Sequence, residues 1–397
     1  MMTSLWPSAT IGQIATLFDS LHKTPAYAVT GYPMIRVTDI LRGYTTTSGA
    51  VRVDEITFEE FSKKHKPTTG DILFSRVGSY GNSSFVKNAE PFCLGQNTVC
   101  ISSNRSVIEP FYLYLFLNSP AASQQIEALV GGASQPTISL KSIASIVVPL
   151  PPMQTQRRIA SILSAYDDLI ENNTRRIADL EEVARRLYEE WFVRFHFPGH
   201  EQVRMVESEL GLIPEGWRVE KVGEVLQRSP AGTTYKKEQI QETGNVIVVD
   251  QSTADHLGFH DAAPDHLASV DFPICIFGDH TCKLTLMVRP FSVGPNTIPF
   301  VGAKNLDTVY AFQFVQGLVA THEYKRHWTG LCDKKVVLCT KELATAYGAA
   351  VRSMVHLVLV LTQKNTNLRA QRDLLLPKLI SGELDVSAFP EPETVAA

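Results

Sequence analysis

The chain repeats itself at long range, and that repeat limits what it can fold into. Leu94-Gly95-Gln96-Asn97-Thr98 returns some two hundred residues later as Val293-Gly294-Pro295-Asn296-Thr297. Tyr112, Tyr114 and Phe116 follow the first copy; Tyr310, Phe312 and Phe314 follow the second at nearly the same offset. Each half then runs into a long helical pattern containing an Asn-Thr step, Asn173-Thr174 and Asn365-Thr366. The order is globular unit, long helix, globular unit, long helix. Two similar heads at a fixed spacing suit a target with two parts along a line, and DNA is such a target.

A chain of 397 residues is long enough for two or three domains, each with its own core. The hydrophobic fraction of 44% and charged fraction of 20% are those of a soluble globular protein. No run approaches the ~20 apolar residues of a bilayer span, and no basic region followed by an apolar one opens the chain. The expected compartment is the cytoplasm, with no membrane partner. The six cysteines, at 93, 100, 275, 282, 332 and 339, form no Cys-x-x-Cys pair. They read as small core hydrophobes in a reducing compartment, and no metal site is expected. The net charge of −4 weighs against a lone nucleic-acid binder. A subunit inside a complex, however, can leave much of the phosphate contact to its partners.

Residues 1–150 form the first α+β head: short apolar runs such as Ile72-Leu73-Phe74 and Thr98-Val99-Cys100-Ile101 are punctuated by Gly, Asn and Ser. Pro149-Leu150-Pro151-Pro152 marks a boundary. Residues 151–196 then carry apolar positions spaced alternately by four and three: Ile159, Leu163, Tyr166, Ile170, Asn173, Ile177, Leu180, Ala184, Leu187 and Trp191. That is a heptad seam with one polar member, Asn173. About 43 helical residues would make a rod of roughly 64 Å. Residues 197–216 read as a linker, 217–342 as the second head, and 343–384 as a second helix with the seam Met354, Val358, Leu361, Asn365, Leu368, Arg372, Leu375 and Leu379. Arg372 is a flaw in that seam, Pro377 should bend the helix or end its regular hydrogen bonding, and Gly382 should end it. Residues 385–397 read as a disordered tail. Narrow seams of this kind are unstable alone, so the two helices are expected to pair antiparallel, with Asn173 and Asn365 meeting at mid-rod as a register device.

At this point the residues resemble a known family. Val148-Pro149-Leu150-Pro151-Pro152, Gln156-Arg157-Arg158-Ile159 and Asp167-Asp168-Leu169-Ile170 are similar to the central region of type I restriction-modification specificity subunits. So are Ile213-Pro214-Glu215-Gly216-Trp217 and Leu375-Leu376-Pro377-Lys378-Leu379-Ile380-Ser381-Gly382-Glu383-Leu384. The resemblance implies two target recognition domains separated by two long antiparallel coiled-coil helices, related by a pseudo-twofold repeat. Each head would read one half of a split double-stranded DNA site. It implies a non-catalytic subunit that docks two modification subunits, which methylate adenine, and restriction subunits, which cleave. S-adenosylmethionine, ATP and Mg would then belong to those partners and not to this chain. The residues agree independently, since no phosphate-binding loop, Gly-x-Gly fingerprint, Asn-Pro-Pro-aromatic tetrad or deaminase signature is present. A coiled-coil scaffold with two protein- or RNA-binding heads is the alternative; it accommodates the acidic charge but not the matched flanking motifs.

Candidate DNA contacts divide into phosphate holders and base readers. Ser75-Arg76-Val77-Gly78-Ser79-Tyr80-Gly81-Asn82 resembles a family segment placed near DNA. Within it Ser75, Arg76, Ser79, Tyr80 and Asn82 are candidates, Arg76 for guanine and Asn82 for adenine. Gln135, in the loop Gly131-Gly132-Ala133-Ser134-Gln135, is a second adenine candidate, and Lys63, Lys64 and Lys66 are candidate phosphate contacts. In the second head the candidates are Lys236 and Lys237, then His280, Thr281 and Lys283, then the basic-aromatic run Tyr324, Lys325, Arg326 and His327. The Arg-x-Gly step is absent there and Asp279-His280 stands in its place, as expected if the heads read different half-sites. The expected target is a split, non-palindromic site with an unspecified gap of roughly 5–8 base pairs.

Overall fold

A computed structural model describes residues 6–88, 90–132, 135–252, 254–320 and 326–389. Two long helices, α6 (Met153–Tyr188) and α10 (Lys341–Ser381), carry the predicted seams. The chain divides into two compact units whose boundaries fall inside these helices. Unit 1 is Met1–Asn172 with Asn365–Ala397, and unit 2 is Asn173–Lys364.

In unit 1 the first and last strands of the head close it: β1 (Ser8–Thr10) pairs antiparallel with β9 (Val147–Pro149). Between them come α1 (Ile11–Ile14), β2 (Ala15–Asp19), β3 (Tyr32–Ile35), β4 (Val51–Val53), α2 (Glu55–Ser62) and β5 (Ile72–Ser75). The chain continues through β6 (Ser83–Phe85), β7 (Cys93–Leu94), β8 (Thr98–Ser103), α3 (Pro110–Leu117), α4 (Pro120–Leu129) and α5 (Leu140–Ser145). These form an antiparallel sheet ordered β2-β8-β5-β6 and a second sheet ordered β4-β3-β7, in which β3 and β7 are parallel. Ile72, Phe74, Val99 and Ile101 of the sheet share one buried cluster with Tyr112, Tyr114 and Phe116 of α3. Pro110 opens α3 at a position where its missing N–H is harmless.

Unit 2 begins with the second part of α6, which ends in a π-helical turn at Glu189–Val193. A hairpin of β10 (Met205–Ser208) and β11 (Gly211–Pro214) follows. The expected linker at 197–216 is thereby corrected: Phe197 and Ile213 are buried in the unit 2 core beside Trp217. The head is then closed by β12 (Arg218–Lys221) pairing with β20 (Lys335–Leu338). Inside it lie α7 (Val222–Val225), β13 (Leu226–Arg228), β14 (Val246–Val249), β15 (Gly258–His260), β16 (Ile274–Gly278) and β17 (Leu284–Met287). Next come β18 (Phe291–Val293), β19 (Thr297–Gly302), α8 (Thr308–Val315) and α9 (Trp328–Cys332). The sheets are ordered β13-β19-β16-β17 and β15-β14-β18, with β14 and β18 parallel. Strand for strand, this is the topology of the first head.

The repeated sequence marks an equivalent turn in each head. Gly95 N donates to Ile35 O at 2.8 Å, and Gly294 N donates to Val249 O at 2.9 Å. Asn97 and Asn296 then adopt left-handed backbone, with φ of 65° and 55°. Asparagine tolerates that conformation and a β-branched residue does not. Asn97→Val and Asn296→Val are each expected to destabilise the chain by about 1–2 kcal/mol, whereas the glycine variants should stay near wild type. Urea titration of both series checks this, and equal midpoints for Val and Gly would contradict it.

Within unit 1 the helix segments run antiparallel: Asp167 pairs with Arg372, and Asn365 Nδ2 donates to Ile170 O at 3.4 Å, so the residue numbers run in opposite directions. Ile159, Leu163 and Ile170 are buried on α6 and Leu379 on α10, while Tyr166, Leu368 and Leu375 are half-buried. The seam at the end of α10 is corrected by one position, since Leu376 is buried and Leu375 only partly. Unit 2 places Ile177, Leu180, Leu187 and Val358 half-buried, with Ala184 and Leu361 buried. Tyr347 on α10 donates its hydroxyl to Ala184 O at 3.0 Å. Asn173 and Asn365, in different units, are both buried.

As expected, Gly382 ends α10, with a φ of +81°, and the helix runs through Pro377 to Ser381. The expectation of a disordered tail from residue 385 is corrected at its start, because Val386 is buried in the unit 1 core and Ser387 N donates to Asp385 Oδ1; residues 390–397 lie outside the described residues. By length and composition alone, α10 is also long and apolar enough to cross a membrane. It nonetheless gives Ala344, Tyr347 and Val351 to the unit 2 core.

Candidate nucleic-acid interface

In each head three segments meet where the central strand ends. In unit 1 these are the turn after β5, the Gly95–Asn97 turn and the hairpin leading to α5. Arg76 N donates to Asn97 O at 3.0 Å, and Ile138 N donates to Arg76 O at 3.0 Å. Gly131 and Thr137 exchange both main-chain hydrogen bonds, at 3.0 and 2.9 Å, and so close a short tip. Gln135 is exposed on that tip. Its neighbours Ala133 and Ser134 lie outside the described residues.

The turn after β5 is built by its glycines. Gly78 and Gly81 have φ of 71° and 85°, Gly81 N donates to Ser75 O, and Asn82 N donates to Ser79 O. Ser79 is exposed and Tyr80 half-buried. Asn82 Nδ2 points back to Ile40 O at 3.4 Å. Ser75 is fully buried, with its hydroxyl 3.4 Å from that of Ser79, so the expectation that it contacts DNA is corrected.

Arg76 is also not placed as a free base reader. Its Nη1 donates to both oxygens of Asp19, at 2.8 and 3.0 Å, and its Nε donates to Ile138 O at 3.1 Å. The bidentate fork that guanine would need is engaged inside the head. Lys64 Nζ donates to Asp19 O at 3.3 Å, and Lys66 pairs with Glu59 at 2.8 Å on the surface. An exposed pair of that kind is weak and exchangeable for a phosphate. Lys63, at the C-cap of α2, is exposed.

Gln96 and Thr24 are candidates that the sequence did not single out. Gln96 is exposed between a buried glycine and a left-handed asparagine, and Thr24 Oγ1 donates to its Oε1 at 3.3 Å. Both border a groove of about 280 Å³ that also touches Tyr27, Arg36 and Asn97. The available signal was the repeat itself: the residue before a turn asparagine is pushed outward.

Unit 2 arranges the same three segments with other side chains. Asp279 N donates to Asn296 O at 2.9 Å, and His327 N donates to Asp279 O at 2.8 Å. His280 N donates to Gln251 Oε1 at 2.9 Å, Thr281 Oγ1 donates to Gln251 O at 2.7 Å, and Lys283 Nζ donates to Ala254 O. Of these three, only Thr281 is exposed. His327 is buried, which corrects its assignment as a contact, whereas Arg326 is exposed. Tyr324 and Lys325 lie outside the described residues. Lys236 and Lys237 are exposed next to Tyr235, whose N donates to Val293 O at the strand that leads into the Asn296 turn.

Among the described residues, one group could offer three metal donors: His65, Asp71 and Cys100, with ligand atoms within 4.8 Å of one another. Hydrogen bonding accounts for this group. Asp71 accepts from Thr68 N at 2.8 Å and faces His65 Nε2 at 2.6 Å, and His65 stacks on Phe18. Burial pushes the Cys100 thiol well up, as expected of a core cysteine.

The family model for the type I restriction modification DNA specificity domain matches residues 4–182. The type I restriction enzyme MjaIX specificity subunit of Methanocaldococcus jannaschii is 24% identical over 344 residues, covering 80% of this chain and 78% of the relative. A second specificity-subunit relative from that organism, MjaX, is 29% identical over 219 residues; the match takes in 52% of this chain and about half, 51%, of the relative's length. The crystal structure of a type I restriction-modification S subunit from M. genitalium aligns with a TM-score of 0.58 at 17% identity, over 95% of this chain and 96% of that one. It shows likeness of fold.

Proposed function

We propose that this chain, which is similar to type I restriction-modification specificity subunits, reads a split, asymmetric site on double-stranded DNA for a complex that methylates and restricts. The observation that carries this reading is the pair of heads. They share one strand order and one turn motif, but their exposed tips differ: Ser79, Gln96 and Gln135 in one, Thr281, Arg326, Lys236 and Lys237 in the other. A common scaffold with unlike tips is what two unlike half-sites require.

The chain works without catalysis of its own. Two modification subunits bind it and transfer the methyl group to adenine, and restriction subunits join them. S-adenosylmethionine, ATP and Mg are bound by those partners. The setting is the cytoplasm, where the DNA is. The net charge of −4 supports a division of labour in which partners supply much of the phosphate contact.

The test is co-expression with the modification subunits in a host lacking adenine methylation, followed by methylome sequencing. A bipartite motif with unlike halves is expected, and the isolated chain should shift random duplex DNA weakly by comparison with the complex. A continuous or palindromic motif, or methyl transfer by the isolated chain, would overturn the reading.

A further inference from the structure

The two heads share a node at the end of the central strand, and opposite chemistry occupies it. Arg76 follows β5 and Asp279 follows β16. Each donates its main-chain N–H to a left-handed asparagine, Asn97 or Asn296, and each accepts at its carbonyl from the segment entering the next short helix, Ile138 N or His327 N. The main-chain pattern is the same. Only the side chains differ, and both grip that entering segment. Arg76 donates from Nε to Ile138 O at 3.1 Å while Asp19 holds its other end at 2.8 and 3.0 Å. Asp279 Oδ1 accepts from His327 N at 3.1 Å and Trp328 N at 3.0 Å. The side chains of Arg76 and Asp279 are 13% and 11% exposed, too little to reach a ligand outside.

The gripped segments carry exposed polar tips. Gln135 lies three residues before Ile138, and Arg326 immediately precedes His327. One main-chain hydrogen bond acts as a hinge about which such a segment can turn. A second bond from the side chain removes that freedom. Base reading needs this restraint, because a bidentate contact tolerates errors of only about 0.5 Å and 10–20°.

We infer that Arg76 and Asp279 are positioning residues for sequence readout, each fixing the direction of the exposed tip in its own head without touching DNA. This rests on the reading of the chain as a DNA specificity subunit. Arg76 and Asp279 look unrelated in the sequence, yet they restrain equivalent segments. A cation anchored by Asp19 pulls on a carbonyl in one head, and a carboxylate collects N–H groups in the other.

The experiment uses the full complex with its modification subunits, reading the base preference of each half-site from the methylome and the melting temperature of each purified variant. Asp279→Ala should reduce base discrimination ten-fold or more in one half-site and leave the other half-site unchanged. Asp279→Asn keeps Oδ1 as an acceptor and should restore the wild-type preference. Arg76→Met should relax the opposite half-site. Arg76→Lys keeps a cation facing Asp19 but loses the Nε donor, so it should fall between; should Arg76→Met fail to fold, this variant and the Asp279 pair carry the test. Uniform loss of methylation with unchanged preferences would overturn the inference, and so would a wild-type motif from a folded Asp279→Ala. A wild-type complex that methylates no specific motif would instead sink the specificity-subunit reading, and this inference with it.

Discussion

Replacing Arg372 with alanine is expected to destabilise unit 1 by about 3–5 kcal/mol. Arg372 occupies a position where the heptad spacing calls for an apolar side chain. Its side chain is 7% exposed and its guanidinium pairs with Asp167, itself 6% exposed. Burial acts against the charge of Arg372, but the facing Asp167 and the neighbouring Asp373 more than offset this and hold its pKa above the ordinary value. Removing the cation leaves the Asp167 carboxyl, whose pKa burial already holds above its ordinary value, without its hydrogen-bonded partner and with only the more distant Arg42 as a counter-charge. Because whole domains are stable by only about 5–15 kcal/mol, the loss should be plain as a lowered urea midpoint. The double replacement Asp167→Leu with Arg372→Met should be near neutral, since it removes both charges together. A single variant that loses less than about 1 kcal/mol would contradict the buried-pair account.

The same two dipeptides also tie the head of unit 1 to its helices. Asp167 reaches across to Arg372, while its neighbour Asp168 accepts from Tyr44 Oη at 2.6 Å and Lys87 Nζ at 2.7 Å. Arg372 reaches back, while its neighbour Asp373 accepts from Arg42 at 2.8 Å. Gly43, between Arg42 and Tyr44, donates its N–H to Tyr114 Oη at 2.8 Å, which pins the loop to the head's own core. Burial and the nearby Asp168 push the Tyr44 phenol well above its ordinary range, so it stays protonated and donates. One residue of each dipeptide fixes helix register and the other fixes the head.

What the sequence made legible was what periodicity and turn chemistry encode. The seams emerged from the four-three spacing, and the two heads from a turn in which asparagine is left-handed. Contacts between distant residues were not legible. Arg76 sits in a run with the grammar of an exposed loop, and nothing local shows that Asp19, 57 residues earlier, faces it. Arg372 looked like a flaw because its partner lies 205 residues away. The shift of burial from Leu375 to Leu376 follows from helix geometry, since a 3.6-residue turn drifts against a strict seven-residue repeat. Ser75 is a candidate through the segment that resembles the family and His327 through its basic-aromatic run, but a polar side chain on a strand end or helix entry is as easily turned inward to satisfy main-chain groups.

Gly348→Ala is expected to be nearly as damaging in unit 2, although glycine inside a helix is ordinarily improved by alanine. Gly348 lies within α10, and a methyl group added there would overlap the carboxylate of Asp307. That carboxylate is already committed: it caps α8 by accepting from Val309 N at 2.9 Å and Tyr310 N at 3.4 Å, and it pairs with Arg352 one turn along α10. The absent side chain lets the helix and the cap of α8 approach, so the intrinsic preference for alanine, roughly 1 kcal/mol, is outweighed. Overpacking of about 1–3 kcal/mol adds to a lost cap of about 0.5–2 kcal/mol. The two effects share one carboxylate, so the double variant Gly348→Ala with Asp307→Ala should lose much less than the sum of the singles. A double-mutant cycle by urea denaturation measures this. Additive losses, or a stabilising Gly348→Ala, would show that α10 does not need the glycine to receive the cap of α8.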